Sequence, residues 1–192
     1  PAPYKERGQF AYRTGKRIVE MVHEDLRPSR IVTREAVLNA VAVITAIGGS
    51  SNAQPHLVAI ARHAGIELDP ADWQHGYALP LLVNMQPAGK YLGERFHRAG
   101  GVPAAMWELL QAGQLDGGCL TCTGKTLAEN LAGRESDDRE MIRPYADPLQ
   151  AEAGFLVLSG NLFDFAILKT SVISDDFRAR YLCRAGQENV FE

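Results

Sequence analysis

The sequence predicts an α/β protein: a predominantly helical domain with a small sheet over residues 1–148, then the first strands of a β-rich, truncated domain over 149–192. Apolar residues recur every three or four positions in several segments of the first part, which is typical of amphipathic helices. The short apolar run at 79–83 predicts a buried strand among them. After a charged connection ending at Pro148, two β-rich runs at 155–158 and 165–168 flank a Gly-Asn pair.

Apolar spacing and capping residues locate the helices. The first helix is predicted from Gln9 to Leu26, where apolar residues recur every four positions, and it stops before Pro28. Thr33 is a candidate N-cap for a more apolar helix over 34–47, which ends at the glycine pair 48–49. Further helices are expected at 50–63, 69–73, 91–98, 104–112 and 125–131.

Composition excludes several classes of function. The 192 residues are 46% hydrophobic and 22% charged, with a net charge of -3, and the basic residues are scattered, which argues against a nucleic-acid partner. The longest apolar stretch, 36–47, is too short to span a bilayer, and no signal segment opens the chain, so we expect a cytoplasmic protein with no membrane partner. Pro1 in place of Met, and an apolar residue beside Glu192, predict an internal fragment of a longer polypeptide.

Residues 123–126, Thr-Gly-Lys-Thr, resemble the end of a nucleotide-binding P-loop. That motif requires a glycine five residues before the Gly-Lys pair, and Cys119 stands there. A nucleotide-dependent enzyme is therefore a minor hypothesis. The same residues would suit an anion at a helix start, with Lys125 as its cation, or form a helix cap with a solvated lysine.

Cysteine and histidine pairs suggest metal sites only weakly. Cys119 and Cys122 have the spacing of a metal knuckle or redox pair, but no second pair accompanies them, so we interpret them as two small buried side chains. Three cysteines in all argue against a disulfide framework. His56 and His63 would share a helix face without a carboxylate partner, which disfavours metal binding.

The segment Gly48-Gly49-Ser50-Ser51-Asn52 is the strongest candidate site from residue chemistry alone. Two glycines allow close approach of a ligand, and the following helix start offers free N–H groups, two hydroxyls and a carboxamide, which would suit a carboxylate or phosphate. A Gly C-cap followed by a Ser N-cap explains the same residues without any ligand. Both interpretations stay open at this point.

Five blocks, in this order, resemble the dihydroxy-acid and 6-phosphogluconate dehydratase family: AIGGSSNA (46–53), HLVAIAR (56–62), QPAGKY (86–91), AGGVPA (99–104) and LTCTGKTLAEN (120–130). The segments PAPYKERGQ (1–9) and LSGNLFDFAILKT (158–170) are most similar to the branch that acts on aldonic acids such as xylonate or arabinonate. Two departures are that Ser51 replaces a more usual threonine and Cys122 replaces an apolar residue.

The resemblance implies a hydro-lyase that converts a 2,3-dihydroxy sugar acid into a 2-keto-3-deoxy acid. It implies an iron–sulfur cluster (2Fe-2S or 4Fe-4S) as Lewis acid and Mg²⁺, with ligands and catalytic base outside this chain, so no catalytic or metal-binding residue is expected here and the chain alone would be inactive. The expected substrate-binding residues are Gly49, Ser50, Ser51, Asn52, Lys125 and Lys169.

Further expectations and alternatives accompany this resemblance. We expect a small-molecule sugar-acid substrate and a homodimer or homotetramer. The alternatives are a dihydroxy-acid dehydratase of branched-chain amino-acid synthesis and a non-catalytic helical binding module of the same fold.

Overall fold

The protein has the α/β fold expected from its sequence. A computed structural model describes residues 4–162, 164, 166–173 and 176. In that part of the chain, helices precede a two-stranded antiparallel sheet. The elements in chain order are α1 (Glu6–His23), α2 (Pro28–Ile31), α3 (Arg34–Ala46), α4 (Ala53–His63), α5 (Pro70–Tyr77), α6 (Gly93–Arg98), α7 (Gly101–Gln111), α8 (Leu127–Leu131), β1 (Phe155–Leu158) and β2 (Ala166–Lys169).

Most predicted helices are confirmed, with starts that shift by no more than three residues, and α1 ends at His23 rather than Leu26. The Thr33 side chain caps α3 by accepting a hydrogen bond from the Ala36 amide at 3.2 Å. Pro103 lies in the first turn of α7, where a missing N–H removes no intrahelical bond. The short helix α2 was not predicted, and α5 continues past Trp73 to Tyr77. Capping chemistry therefore located helix ends better than apolar spacing did.

Helix α3 is the centre of the fold because apolar residues occupy most of its circumference. One of its faces packs with Leu79, Leu82 and Leu109, and another packs Val41 against Trp73 and Phe155. The polar Thr45 is fully buried, and its hydroxyl donates to the Val41 carbonyl at 2.9 Å. The end of α3, at the glycine pair, is thus anchored in the core.

The predicted strand at 79–83 is wrong in form, although its burial is as expected. Leu81 forms an isolated bridge with Gln150 and Val83 forms one with Ile142. Between them, the Leu82 amide donates to the Ala46 carbonyl at 2.8 Å. Because successive residues bond to different segments, a continuous ladder does not form and the run is extended backbone in the core.

The two β-rich runs form one antiparallel hairpin. Phe155 lies opposite Lys169, and the pairing continues to Leu158 opposite Ala166. The second strand is 166–169 rather than 165–168, and residue 165 lies outside the described residues. Phe155 is 3% exposed and packs on α3 and α5, so the hairpin contacts the helical part directly. The domain boundary at 148 stays a prediction.

Helix α1 is confirmed as amphipathic, but its apolar stripe is not covered by the described residues. Phe10, Ile18 and Val22 are 59%, 56% and 74% exposed. The helix is held by polar contacts, including a hydrogen bond of 2.7 Å from the Arg17 guanidinium to the Cys122 carbonyl. No helix in the described part of the chain is long and apolar enough to cross a membrane.

Candidate functional site

The predicted corner between two helices is present: α3 ends at Ala46 and α4 begins at Ala53. The Gly49 amide donates to the Ile44 carbonyl at 2.8 Å, and the Gly48 amide donates to the Thr45 carbonyl at 2.9 Å. Gly48 has a φ of 65°, the left-handed conformation that closes a Schellman-type helix end. The C-cap interpretation of the glycine pair is therefore confirmed.

Close packing also requires glycine at position 48. A Cβ there would lie 3.0 Å from Leu81 Cδ1 and 3.2 Å from the Ala88 side chain. At position 49 an added Cβ would lie 2.9 Å from Ile44 Cγ2. The backbone of the corner is thus fixed from both sides, and its position relative to the core is well defined.

The start of α4 presents polar groups outward. The Ser50 hydroxyl accepts a hydrogen bond of 3.2 Å from the Asn52 amide, and the Asn52 side chain makes no capping bond. Ser50 and Asn52 are exposed, whereas Ser51 is half-buried. Within the described chain, the Ser50 and Ser51 amides have no hydrogen-bond acceptor. These two N–H groups and the adjacent hydroxyls can donate to an anionic or hydroxylated ligand.

Lys169 reaches this corner from β2, although 120 residues separate it from Gly49 in the chain. Its ammonium donates to the Gly48 carbonyl at 2.8 Å and to the Gly49 carbonyl at 2.7 Å. The ammonium also lies 5.7 Å from the centroid of the Phe155 ring. Burial lowers the pKa of Lys169 below its ordinary value. The structure therefore brings together the predicted site residues 49–52 and Lys169.

The loop 84–91 supports the corner, a role that sequence reasoning missed. Ala88 lies beside Gly48, and the Asn84 side chain accepts a hydrogen bond of 2.8 Å from the Lys90 amide. A Cβ at Gly89 would lie 2.5 Å from the Met85 amide nitrogen, so this turn also requires glycine. The motif QPAGKY carried a family resemblance, but only the three-dimensional structure shows its contact with residue 48.

Lys125 lies in a separate loop. Its side chain is exposed, and its carbonyl accepts hydrogen bonds of 2.9 Å from both the amide and the hydroxyl of Thr121. The helix predicted from Lys125 begins instead at Leu127, where Thr126 and Glu129 form a reciprocal capping box. No hydrogen bond between described residues connects Lys125 with the corner. The capping box confirms the helix cap expected in this segment, and the role of Lys125 in binding an anion stays a prediction.

The interpretation of the cysteine pair is wrong for Cys122, which is exposed, whereas Cys119 is half-buried. Cys122 belongs to a tight turn in which the Gly124 amide donates to the Thr121 carbonyl at 3.0 Å, and this turn presents its side chain to solvent. Burial, followed by nearby acidic charge, raises the pKa of the Cys119 thiol. Among the described residues, no group of three or more His, Cys, Asp or Glu side chains could hold a metal ion.

A charged cluster on α6 was also missed. The Arg95 guanidinium binds Asp138 with two hydrogen bonds of 2.7 and 2.9 Å and binds Glu140 at 2.9 Å. It also stacks 3.8 Å from the centroid of the Tyr91 ring. The guanidinium holds the pKa of Asp138 below its ordinary value. Because these charges compensate one another, the Arg95 cluster ties α6 to the segment after α8 and has a structural role.

Comparison with known proteins identifies the family. Residues 1–130 match the family model described as dihydroxy-acid/6-phosphogluconate dehydratase N-terminal. The chain belongs to this family. It is 64% identical over 192 residues, 100% of the chain and 32% of the relative, to a D-xylonate dehydratase of Caulobacter vibrioides.

Other relatives in the family are more distant. The chain is 42% identical over 164 residues to a dihydroxy-acid dehydratase of Koribacter versatilis, an alignment that covers 84% of the chain and 29% of the relative. It is 38% identical over 196 residues to dihydroxy-acid dehydratase 2 of Mesorhizobium japonicum, covering 100% of the chain and 33% of the relative. The chain thus spans about a third of the length of the curated relatives it matches.

Proposed function

We propose that this chain is part of a hydro-lyase that removes water from an aldonic 2,3-dihydroxy acid and yields a 2-keto-3-deoxy acid. The observation that carries the proposal is its 64% identity, over the whole chain, to a D-xylonate dehydratase, compared with 42% and 38% to two dihydroxy-acid dehydratases. The second candidate function is that of a dihydroxy-acid dehydratase, as those two relatives are named, which on the family resemblance would act in branched-chain amino-acid synthesis.

The proposed contribution of this chain is to hold the acid substrate at the corner between α3 and α4. The amides of Ser50 and Ser51 and both hydroxyls would donate to the carboxylate or to the distal hydroxyls, with Asn52 beside them. The helix α4 begins at the corner, so the positive end of its dipole favours a negative group there. Lys125, in its separate exposed loop, is a weaker candidate for contact with the substrate.

The resemblance implies an iron–sulfur cluster and Mg²⁺, which supply Lewis-acid chemistry when bound. The described residues do not fit either group. The half-buried Cys119 thiol is disfavoured as a thiolate by burial, and among the described residues it belongs to no group of three or more possible metal ligands. We propose that the described residues contribute substrate binding and scaffold. We propose a cytoplasmic homodimer or homotetramer on the same resemblance.

The test of the activity is formation of a 2-keto acid by the enzyme that contains this chain, purified without oxygen and supplied with iron and magnesium. The substrates are xylonate, arabinonate, gluconate, 6-phosphogluconate and dihydroxyisovalerate. We expect a preference for the five-carbon sugar acids. Turnover of dihydroxyisovalerate alone would support the second candidate function instead of the first. Absence of any turnover by an iron-replete sample would refute both candidate functions.

The test of the corner is the pair of changes Ser50→Ala and Ser51→Ala. A hydrogen bond to a charged group contributes roughly 1.5–3 kcal/mol, so each lost hydroxyl should lower kcat/KM about tenfold or more. Ser51→Thr, which keeps the hydroxyl, is the matched control and should retain activity. Ser29→Ala, at an exposed position on α2, controls for unspecific effects. An unchanged kcat/KM in the double alanine variant would exclude the corner as the anchor.

A further inference from the structure

The position of Lys169 follows from the register of the hairpin. Lys169 lies directly opposite Phe155, and residues opposite each other in an antiparallel pair have side chains on the same face of the sheet. Phe155 is 3% exposed and packs on α3 and α5, so that face is the buried one. The stem of Lys169 therefore runs along the buried face toward the end of α3, where its ammonium meets the corner.

The ammonium binds the carbonyl groups of the two glycines that follow the end of α3. The last carbonyls of α3 are already paired, because Ile44, Thr45 and Ala46 accept from the amides of Gly49, Gly48 and Leu82. Gly48 and Gly49 follow α3, and their carbonyls accept from Lys169 at 2.8 and 2.7 Å. An ammonium has three N–H donors, so two of the three are engaged with the protein backbone.

We infer that Lys169 is a positioning residue, which fixes the two glycine carbonyls and thereby orients the next two amides and hydroxyls, those of Ser50 and Ser51, toward the substrate. The inference rests on the proposed function of the corner. It differs from direct binding of the substrate by Lys169, because most of the donors of this ammonium are already engaged with Gly48 and Gly49.

The inference also connects two parts of the chain. Lys169 lies beyond the predicted domain boundary at 148, whereas the corner belongs to the helical part. The hairpin would thus complete the substrate anchor from the other side of that boundary. A misplacement of binding groups on the scale of 1 Å lowers catalysis by roughly 10²-fold, which sets the size of the effect expected when the contact is lost.

The experiment compares Lys169→Met, Lys169→Arg and, as a control, Lys16→Met, an exposed lysine on α1. Hydrogen–deuterium exchange of the hydrogen-bonded amides of residues 48, 49, 52 and 53 is measured without substrate, so this readout is independent of activity. Exchange should be faster in Lys169→Met and close to wild type in the other two variants. Unchanged exchange in Lys169→Met would overturn the inference, and faster exchange spread over the whole chain would also overturn it because that indicates general destabilisation.

Kinetics of the same variants distinguish three roles for Lys169: positioning of the corner, a purely structural role, and direct binding of the substrate. We expect Lys169→Met to raise KM for the acid much more than it lowers kcat, with up to about a 10²-fold loss of kcat/KM, and Lys169→Arg to recover most of it. Equal kcat/KM for Lys169→Met and wild type would overturn the positioning role. Absence of turnover by the wild-type enzyme would instead refute the proposed function, while the exchange result would still decide whether Lys169 fixes the corner.

Discussion

Replacement of Asn39 by alanine tests how the loop after α7 is attached to the core. Asn39 is 8% exposed on α3, and its carboxamide binds the backbone of Asp116 twice: it accepts from the amide at 2.8 Å and donates to the carbonyl at 2.9 Å. A weaker contact of 3.4 Å joins its amide group to the Cys119 sulfur. Each of the two backbone bonds contributes about 1 kcal/mol, and part-burial adds a desolvation penalty for the partners left behind.

The expected cost of Asn39→Ala is therefore about 2–3 kcal/mol of unfolding free energy. For a chain of this size, 1 kcal/mol corresponds to roughly 2–4 °C, so the melting temperature should fall by about 4–12 °C. The destabilisation should be centred on the loop, and the amides at 116–119 should exchange faster than those of α4. Thermal unfolding followed by circular dichroism, together with hydrogen–deuterium exchange, measures both quantities.

The matched control is Asn161→Ala, at an exposed position after β1. It removes the same side chain without removing a bridge between two segments, and it should change stability by less than about 0.5 kcal/mol. The reasoning is refuted if Asn39→Ala unfolds at the same temperature as the control. It is also refuted if the stability falls but the exchange of 116–119 does not change.

Three further outcomes follow from the structure. Gly154 has a φ of 75° and a Cβ there would lie 2.5 Å from a backbone nitrogen, so Gly154→Ala should destabilise the protein by about 2–5 kcal/mol. Gly160→Ala, where the added Cβ meets open space, should have little effect on stability. Denaturant titration of both variants measures this, and equal unfolding midpoints for Gly154→Ala and Gly160→Ala would contradict the argument. Iodoacetamide should label the exposed Cys122 faster than the half-buried Cys119, whose pKa is raised by burial, and equal labelling by peptide mass spectrometry would exclude that difference. The pKa of the Asp138 carboxylate is lowered in the folded state, so its contribution to the free energy of unfolding is present above about pH 4 and is lost as the pH falls further. Asp138→Asn should therefore make the melting temperature depend less on acid pH. A variant with the same pH dependence as wild type would contradict this expectation.

The parts of the fold that sequence predicted well depend on local chemistry. Thr33 caps α3 because a threonine hydroxyl accepts from an amide three residues later, and Gly48 ends the helix because glycine adopts positive φ without strain. These rules involve neighbours within one turn, so one sequence is sufficient to apply them. The ends of α4, α6 and α8 were predicted correctly for the same reason.

The parts that were predicted poorly depend on distant partners. The run at 79–83 has the composition of a strand, but whether it forms a ladder depends on what pairs with it, and its partners lie at Ala46, Ile142 and Gln150. Cysteine is a residue type that is often buried in the core, yet the position of Cys122 in a turn exposes it. Neither the missing ladder at 79–83 nor the exposure of Cys122 can be predicted from apolar spacing.

The candidate site illustrates both kinds of information. Its residues 49–52 were predicted from their own chemistry, since free amides and hydroxyls at a helix start are a local property. Its architecture is assembled from distant segments: Ala88 packs on Gly48 from one loop, and Lys169 arrives from a strand 121 residues away to bind the Gly48 carbonyl. If the half-buried Lys169 fixes these two carbonyls as we propose, the geometry of Ser50 and Ser51 depends on the hairpin.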